Sequence, residues 1–316
     1  MSLTPKAVIF GCAGTTLNPE ERAFFETHQP LGFILFSRNI ENPDQVKSLI
    51  NDLKSTVKHR NPPILIDQEG GRVVRLKSPH WKAYPPANVF GEMAAANLDH
   101  AKQAVFENFQ SIAQDLKDLG ITVDCAPLLD LQVEGADQII GDRSFSNDPH
   151  IVGILGHEVM RAFQAQGITP IIKHIPTHGP ADCDSHLELP RVKLSHAELK
   201  PHFEAFQVCK DAPWAMTAHI IYEAFDPENP ATQSAKVIQD IIRGEIGFQG
   251  ILVSDDLVMK ALSGSFQDRA RRSLAAGCDV VLHCSGNLDE MKDTIQGVGP
   301  LSSQVLAKLE ETHGIA

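Results

Sequence analysis

Long hydrophobic runs and paired cysteines are both missing from this 316-residue sequence. No apolar stretch approaches the ~18 residues of a membrane-spanning helix, and the run Ala7–Phe10 is too short for the apolar core of a signal peptide. The six cysteines form no Cys-x-x-Cys pair, so neither a disulfide framework nor a structural zinc site is predicted. We therefore expect reduced thiols in a cytoplasmic protein that is neither secreted nor embedded in a membrane.

An excess of basic residues is also missing. Lys and Arg number 28 and Asp and Glu number 40, which gives a formal net charge of −12. A protein of this sign repels nucleic acid and anionic membranes unless a local basic patch overcomes the repulsion. Hydrophobic residues make up 42% of the chain, enough to bury a sizeable core. We therefore expect a globular protein with no nucleic-acid or membrane partner.

Several catalytic motifs do not occur. The chain has no Gly-x-Ser-x-Gly elbow, so serine hydrolysis of the α/β-hydrolase type is not predicted. No glycine-rich phosphate loop precedes a helix, which excludes phosphoryl transfer and dinucleotide binding. Neither His-x-His nor His-Glu-x-x-His occurs, and a metal-dependent hydrolase therefore lacks its usual local signature.

What the chain does have is an alternation of short apolar runs with longer helix-competent stretches. The eight runs are Ala7–Phe10, Gly32–Leu35, Pro63–Asp67, Thr122–Ala126, Thr169–His174, Ala215–Ala218, Gly250–Ser254 and Val280–Leu282. The stretches between them include Asp44–Lys58, His100–Leu119, Ile151–Gln166, His196–Lys210, Ala235–Arg243 and Gln267–Ala276. Gly120, Gly167 and Gly277 follow helical patterns, where a left-handed residue commonly ends a helix. Strand followed by helix, repeated, predicts parallel βαβ units.

No linker or change of composition divides the sequence. We therefore predict an α/β fold in which residues 1–316 form a single (β/α)8 barrel of the TIM type. Two domains with doubly wound open sheets are the alternative.

Ionisable residues follow six of the eight predicted strands. Barrel enzymes carry their chemistry at the carboxyl ends of the strands, so this placement predicts an active site. The residues are Asp67 after the third strand, Asp124 and Asp130 at the fourth, Lys173 and His174 at the fifth, His219 at the sixth, Asp255 and Asp256 at the seventh and His283 at the eighth. A single Asp in such a place is often only a helix cap. We expect Asp255 to face into the barrel and Asp256 to cap the following helix.

The segment from Lys173 to His186 packs three His, two Asp and one Lys into fourteen residues with two Pro and a Gly, and we interpret it as a loop. Groups that titrate near neutrality suit acid/base chemistry or metal binding. Asp184 and His186 lie two residues apart and would meet only if the loop curls. A metal site is the alternative, with His174, His178, His186, His219 and Asp255 as its candidate ligands.

Six motifs, in chain order, resemble those of the family 3 glycoside hydrolases, specifically the bacterial cytoplasmic β-N-acetylhexosaminidases. They are Gly32–Asn39, Asp67–Val73, Gly141–Phe145, Lys173–His186, Met216–His219 and Ser254–Leu257. The resemblance covers nearly the whole chain. Ile175 and Thr177 depart from it, because the family usually has Phe and Gly there. A Cβ at position 177 predicts a stiffer loop.

The resemblance implies a role for each matching residue. Asp255 corresponds to the nucleophile, and His186, assisted by Asp184, to the general acid/base. The implied sugar-binding residues are Asp67, Arg75, Arg143, Lys173 and His174. Asp256 is outside the chemistry.

The function that the resemblance implies is retaining hydrolysis of terminal β-linked N-acetylglucosamine from muropeptides, in peptidoglycan recycling. It implies a small-molecule substrate, no cofactor and a cytoplasmic monomer. Two other hypotheses remain: a metal-dependent barrel hydrolase, and a sugar-binding protein that has lost catalysis. The last requires a lost nucleophile or dyad, and all three positions are present.

Overall fold

The computed structural model describes residues 4–133, 135, 138–181, 183–185 and 187–314. Its strands are β1 (Lys6–Gly11), β2 (Pro30–Leu35), β3 (Ile64–Ile66), β4 (Val123–Asp124), β5 (Thr169–Ile175), β6 (Arg191–Val192), β7 (Trp214–Thr217), β8 (Ile221–Tyr222), β9 (Ile251–Asp256) and β10 (Val280–His283). Eight of them close into a barrel in the order β1-β10-β9-β7-β5-β4-β3-β2, and every barrel pairing is parallel.

Helices surround this barrel. They are α1 (Pro19–His28), α2 (Pro43–Ser55), α3 (Ala87–Ala96), α4 (Leu98–Leu119), α5 (Pro149–Gln166), α6 (His196–Val208), α7 (Phe266–Ala276), α8 (Leu288–Gln296) and α9 (Ser303–His313). The segment Val237–Glu245 is π-helical. Gly120, Gly167 and Gly277 end their helices with φ of 85°, 80° and 120°, so these three C-terminal caps are confirmed. Within the described ranges, no helix is long and apolar enough to cross a membrane.

The predicted (β/α)8 barrel is confirmed, and each of the eight apolar runs supplies one barrel strand. Strands β1, β2 and β5 are buried along almost their whole length, because a barrel strand is covered by the core on one side and by helices on the other. The pair β6 and β8 was not predicted. These strands have two residues each, too few to give a hydrophobic pattern, and they join the loops that follow β5 and β7.

Helix α9 packs against the amino-terminal ends of β5 and β7. The ring of His313 on this helix lies 5.5 Å, centroid to centroid, from the ring of the fully buried Trp214, with the two planes tilted by 59°. His313 Nε2 lies 3.0 Å from Thr169 Oγ1. Lys6, at the start of β1, forms a β-bridge with Pro300. The carboxyl-terminal segment of the chain therefore contacts the amino ends of three barrel strands.

Candidate active site

A cavity of about 260 Å³ lies at the carboxyl end of the barrel strands. Its walls come from the ends of seven barrel strands or from the loops that follow them, as expected for a barrel enzyme. Asp67, Arg75, Arg143, Lys173, His174 and Asp255 all line it. The structure thus brings together six of the eight residues singled out as a site. The other two lie on the loop after β5: Asp184 is half-buried, and His186 lies outside the described residues.

Asp67 is held between two cations. Its Oδ1 is 3.0 Å from Lys173 Nζ and its Oδ2 is 3.0 Å from Arg75 Nη2. Burial alone would raise the pKa of Asp67, but the two ion pairs outweigh it and hold this pKa well below its ordinary value. Asp67 is therefore ionised at neutral pH and presents a fixed carboxylate to the cavity.

Glu69 is a site residue that was not predicted from the sequence. Both of its oxygens accept hydrogen bonds from Arg143, at 2.8 and 2.9 Å, and Lys173 Nζ lies 2.6 Å from Oε1. Burial opposes ionisation, yet Arg143 and Lys173 lower the pKa of Glu69 to about 2. Arg143, whose side chain is only 9% exposed, is therefore already paired within the cavity wall.

The turn after Glu69 requires its two glycines. Gly70 and Gly71 have φ of 95° and 56°, and a Cβ on Gly70 would overlap the carbonyl oxygen of Pro85. Arg72 follows and donates to the carbonyl oxygens of Gln138, Ile139 and Ile140 and to the carboxylate of Asp142. The loops after β3 and β4 are thus joined in both directions, by Arg72 from one side and by Arg143 from the other.

Asp130 organises the beginning of the loop after β5. Its Oδ2 accepts from His174 N at 3.1 Å and from His174 Nδ1 at 2.8 Å, and its Oδ1 accepts from His178 N. Burial would raise the pKa of this fully buried carboxyl, but the hydrogen bond and charge of His174 lower it. Asp130 accepts from Nδ1, so His174 carries a hydrogen there, and Nε2 is the ring nitrogen that is left for the cavity.

Asp255 and Asp256 end β9, and both line the cavity. Asp255 Oδ1 accepts from Asp256 N at 2.8 Å. Asp256 does not cap a helix, contrary to our expectation: its Oδ1 accepts from Val258 N and Cys284 N, each at 3.0 Å, and α7 begins ten residues later with Ser265 as its cap. Asp256 closes a turn and ties β9 to β10. Burial raises the pKa of Asp256 to about 6.

His219 has a structural role in this arrangement. Its Nε2 donates to Asp256 O at 3.0 Å, and its Nδ1 lies 2.7 Å from Thr232 Oγ1, so both ring nitrogens are occupied. His283 also lies outside the cavity, with its ring edge-on to Phe10 and Phe266. Within the part of the chain that the structure describes, no three His, Cys, Asp or Glu side chains come together as a metal site would require.

Thr177 fits its place without backbone strain. It is not among the residues with positive φ, so a Cβ is accommodated, and its side chain is fully buried. Its Oγ1 accepts from Gly179 N at 3.3 Å, and its carbonyl oxygen accepts from the Tyr222 hydroxyl. Ile175 is buried as the last residue of β5. The departures from the family pattern therefore pack into the barrel.

Comparison with known proteins gives one consistent family. The model of the glycosyl hydrolase family 3 N terminal domain matches residues 7–310. The β-hexosaminidase of Nitrosomonas eutropha is 37% identical over 313 residues, which cover 96% of this chain and 87% of that protein.

Solved structures agree with this match. NagZ from Neisseria gonorrhoeae in complex with N-trifluoroacetyl-D-glucosamine is 30% identical with a TM-score of 0.90, and the alignment covers 99% of this chain and 91% of that one. A family 3 β-N-acetylglucosaminidase from Paenibacillus sp. is 29% identical with a TM-score of 0.88, over 98% and 61% of the two chains. The resemblance seen in the sequence is confirmed: this chain belongs to glycosyl hydrolase family 3 and is a glycoside hydrolase.

Proposed function

We propose that the chain is a retaining exo-β-N-acetylglucosaminidase that releases terminal β-linked N-acetylglucosamine. The main support is one cavity that combines Asp255 with the Asp67, Lys173 and Arg143 network. The relatives are named β-hexosaminidases, and one solved relative holds an N-acylated glucosamine analogue. A cavity of about 260 Å³ with charged side chains in its wall, at the end of a barrel, suits a single terminal sugar.

In the proposed mechanism, Asp255 attacks the anomeric carbon. The bond from that carbon to the leaving oxygen breaks while His186, assisted by Asp184, gives its proton to the oxygen, and a glycosyl ester of Asp255 forms. Water, giving a proton to His186, then attacks the same carbon and displaces the Asp255 carboxylate. Two inversions leave the β configuration unchanged.

The remaining wall of the cavity binds the sugar in this proposal. Asp67 accepts hydrogen bonds from hydroxyl groups, and His174 Nε2 contacts a hydroxyl group. Lys173, Arg75 and Arg143 donate to hydroxyl or N-acetyl oxygens. These cations are already oriented by buried carboxylates, so little side-chain entropy is lost when the sugar binds. Their placement thus favours tight recognition of one ring.

The covalent route has a specific competitor, in which the substrate's own acetamide attacks the anomeric carbon. Aryl glycosides with N-acetyl, N-fluoroacetyl and N-trifluoroacetyl groups separate the two. Fluorine weakens an acetamide nucleophile, so the acetamide route predicts a steep fall in kcat/KM along the series. We expect a shallow dependence, because Asp255 is the nucleophile. A steep fall would contradict that role.

Substrate class is tested by p-nitrophenol release from the β-N-acetylglucosaminide and the β-glucoside, with and without EDTA. We expect turnover of the first substrate alone, unchanged by the chelator. Loss of activity in EDTA would instead support the metal-dependent alternative, with His174, His178, His186 and Asp255 as its remaining candidate ligands. Equal turnover of the two substrates would show that the enzyme does not select for the N-acetyl group.

We also propose that the enzyme acts as a cytoplasmic monomer on muropeptides, in peptidoglycan recycling. The pattern of cysteines and the kinship to β-hexosaminidases support this setting. Release of N-acetylglucosamine from a purified muropeptide, followed by mass spectrometry, tests the substrate. An enzyme that cleaves chitobiose but no muropeptide would contradict it.

A further inference from the structure

The first residues of the loop after β5 are anchored to the barrel. The carboxylate of Asp130 accepts hydrogen bonds from the backbone of His174 and of His178, and the Tyr222 hydroxyl donates to Thr177 O between them. Asp130 and Tyr222 are both fully buried. These hydrogen bonds therefore fix residues 174–178 on the barrel. They do not reach the later residues of the loop.

One side-chain contact joins this anchor to the later part of the loop. His178 Nε2 lies 3.0 Å from Ser185 Oγ, and the two residues are 3% and 2% exposed. Ser185 lies between Asp184 and His186 in the chain, and both His178 and Ser185 line the cavity. If Ser185 moves relative to the barrel, this hydrogen bond must break or the His178 side chain must move with it.

The protonation of His178 gives the contact a direction. Its Nδ1 is buried without a hydrogen-bond partner among the described residues, and an unpaired N–H there would cost more than an unpaired lone pair. The hydrogen therefore lies on Nε2 and is donated to Ser185 Oγ. Burial, reinforced by His174, lowers the pKa of His178 to about 4, so the ring stays neutral. The Ser185 hydroxyl hydrogen remains available for a second bond.

We propose that His178 and Ser185 are positioning residues for the acid/base dyad. Their hydrogen bond transmits the fixed geometry of the Asp130 anchor to Ser185, which stands between the two dyad residues in the chain, and so orients the dyad for protonation of the leaving oxygen. This inference rests on the proposed function of Asp184 and His186. Its physical basis is that a general acid must lie within hydrogen-bond reach of its oxygen, and small misplacements cost large factors in rate.

The test uses leaving groups of different quality. Phenyl and 2,4-dinitrophenyl β-N-acetylglucosaminides are compared by kcat/KM, which reports the step that forms the glycosyl-enzyme. In Ser185→Ala we expect a loss of about tenfold or more on the phenyl substrate and a change within about twofold on the dinitrophenyl substrate, whose leaving group needs no proton. His178→Ala should give the same pattern, and His178→Gln, whose amide can still donate, should recover part of the loss.

Azide supplies an independent readout. It attacks the anomeric carbon of the glycosyl-enzyme and displaces Asp255 without needing a general base, so it forms a glycosyl azide. Azide should therefore accelerate kcat of Ser185→Ala on the dinitrophenyl substrate and leave the unmodified enzyme unaffected. Glu188→Gln, an exposed change on the same loop, is the matched control and should behave like the unmodified enzyme.

His186→Ala separates failure of this inference from failure of the proposed function. If His186→Ala shows the leaving-group dependence and azide rescue but Ser185→Ala loses equally on both substrates, or on neither, the positioning role is wrong and the dyad stands. If His186→Ala itself shows neither effect, the acid/base assignment fails, and the positioning role fails with it. A His178→Ala protein that does not fold leaves Ser185→Ala to decide.

Discussion

The two sides of the cavity hold their carboxylates in different ways. On the side of β3 to β5, Asp67 and Glu69 share Lys173 and each has an arginine of its own. On the side of β9, the hydrogen bonds described above for Asp255 and Asp256 come from backbone N–H groups. Cations thus stabilise the carboxylates of the first side, and backbone N–H groups at the strand end help to orient those of the second.

This difference matches two kinds of work. Forming an ion pair between buried groups costs desolvation free energy. In return, it holds hydrogen-bond donors and acceptors in a fixed arrangement that can bind one sugar specifically. Asp255, the proposed nucleophile, is oriented at the end of β9 by a hydrogen bond from the backbone N–H of Asp256. The first side is suited to recognition and the second to attack, and substitutions can separate them.

The largest effect is expected from Asp255→Ala, which removes the attacking group and leaves the ion-pair side intact. We expect kcat to fall by at least about 10³-fold, as for other covalent nucleophiles. Binding of N-acetylglucosamine, measured by calorimetry, should change much less. Asp256→Asn keeps an acceptor for Val258 and Cys284 and should retain most activity. A near-normal kcat in Asp255→Ala would show that Asp255 is not the nucleophile.

The opposite experiment disables the ion-pair side. Lys173→Met leaves Asp67 and Glu69 ionised and buried with only arginines as partners, and it should lower the free energy of unfolding by about 3–5 kcal/mol. Urea titration measures this, and KM should rise if the variant folds. Arg22→Met breaks the exposed pair with Asp52, at 2.9 Å, and serves as the control that should change stability little. An equal loss of stability in the two variants would show that the buried ion pairs contribute no more to stability than an exposed pair does.

The stability should also depend on pH through Asp124, a fully buried carboxyl at the end of β4. Its Oδ1 accepts from Gln68 N, and burial raises its pKa from 3.8 to about 8. Between these values the folded state holds a proton that the unfolded state has released, so stability falls as pH rises, by about 1.4 kcal/mol per pH unit at most. Asp124→Asn removes this titration.

Unfolding of the two proteins between pH 5 and pH 8 measures the effect. The stability of Asp124→Asn relative to the unmodified protein should increase with pH. Asp67 and Glu69 act in the opposite sense, since their pKa values are lowered: they stabilise above their unfolded pKa values, and this contribution disappears as pH falls toward about 2. Parallel pH curves for the two proteins would show that Asp124 is ionised throughout.

The sequence was sufficient for the barrel and for the residues at its strand ends. A strand covered on both faces leaves a continuous apolar run, and a parallel barrel brings the next residues of every run to one end, which is why Asp67, Lys173 and Asp255 could be placed together. Gly120, Gly167 and Gly277 marked helix ends because a left-handed cap favours glycine.

Roles that depend on contacts distant in the sequence could not be predicted. Glu69 belongs to the site because the Gly70–Gly71 turn directs it to Arg143, 74 residues away. Asp130 looked like one more polar residue after a strand, and its contacts with His174 and His178 appear only in three dimensions. Asp256 was expected to cap a helix, but the chain after β9 makes a turn before α7 begins.

The smallest effect is expected at Thr177, a position at which the resemblance to the family predicts glycine. Thr177→Gly should lower stability by about 1–2 kcal/mol, because a buried side chain is lost and the unfolded chain gains freedom. Thr177→Ser keeps the hydroxyl that accepts from Gly179 N and should recover part of this loss. Since Thr177 belongs to the anchored part of the loop, we expect kcat to change by less than about threefold. A large increase in kcat in Thr177→Gly would show instead that stiffness at this position limits turnover, and that the anchor is part of the moving loop.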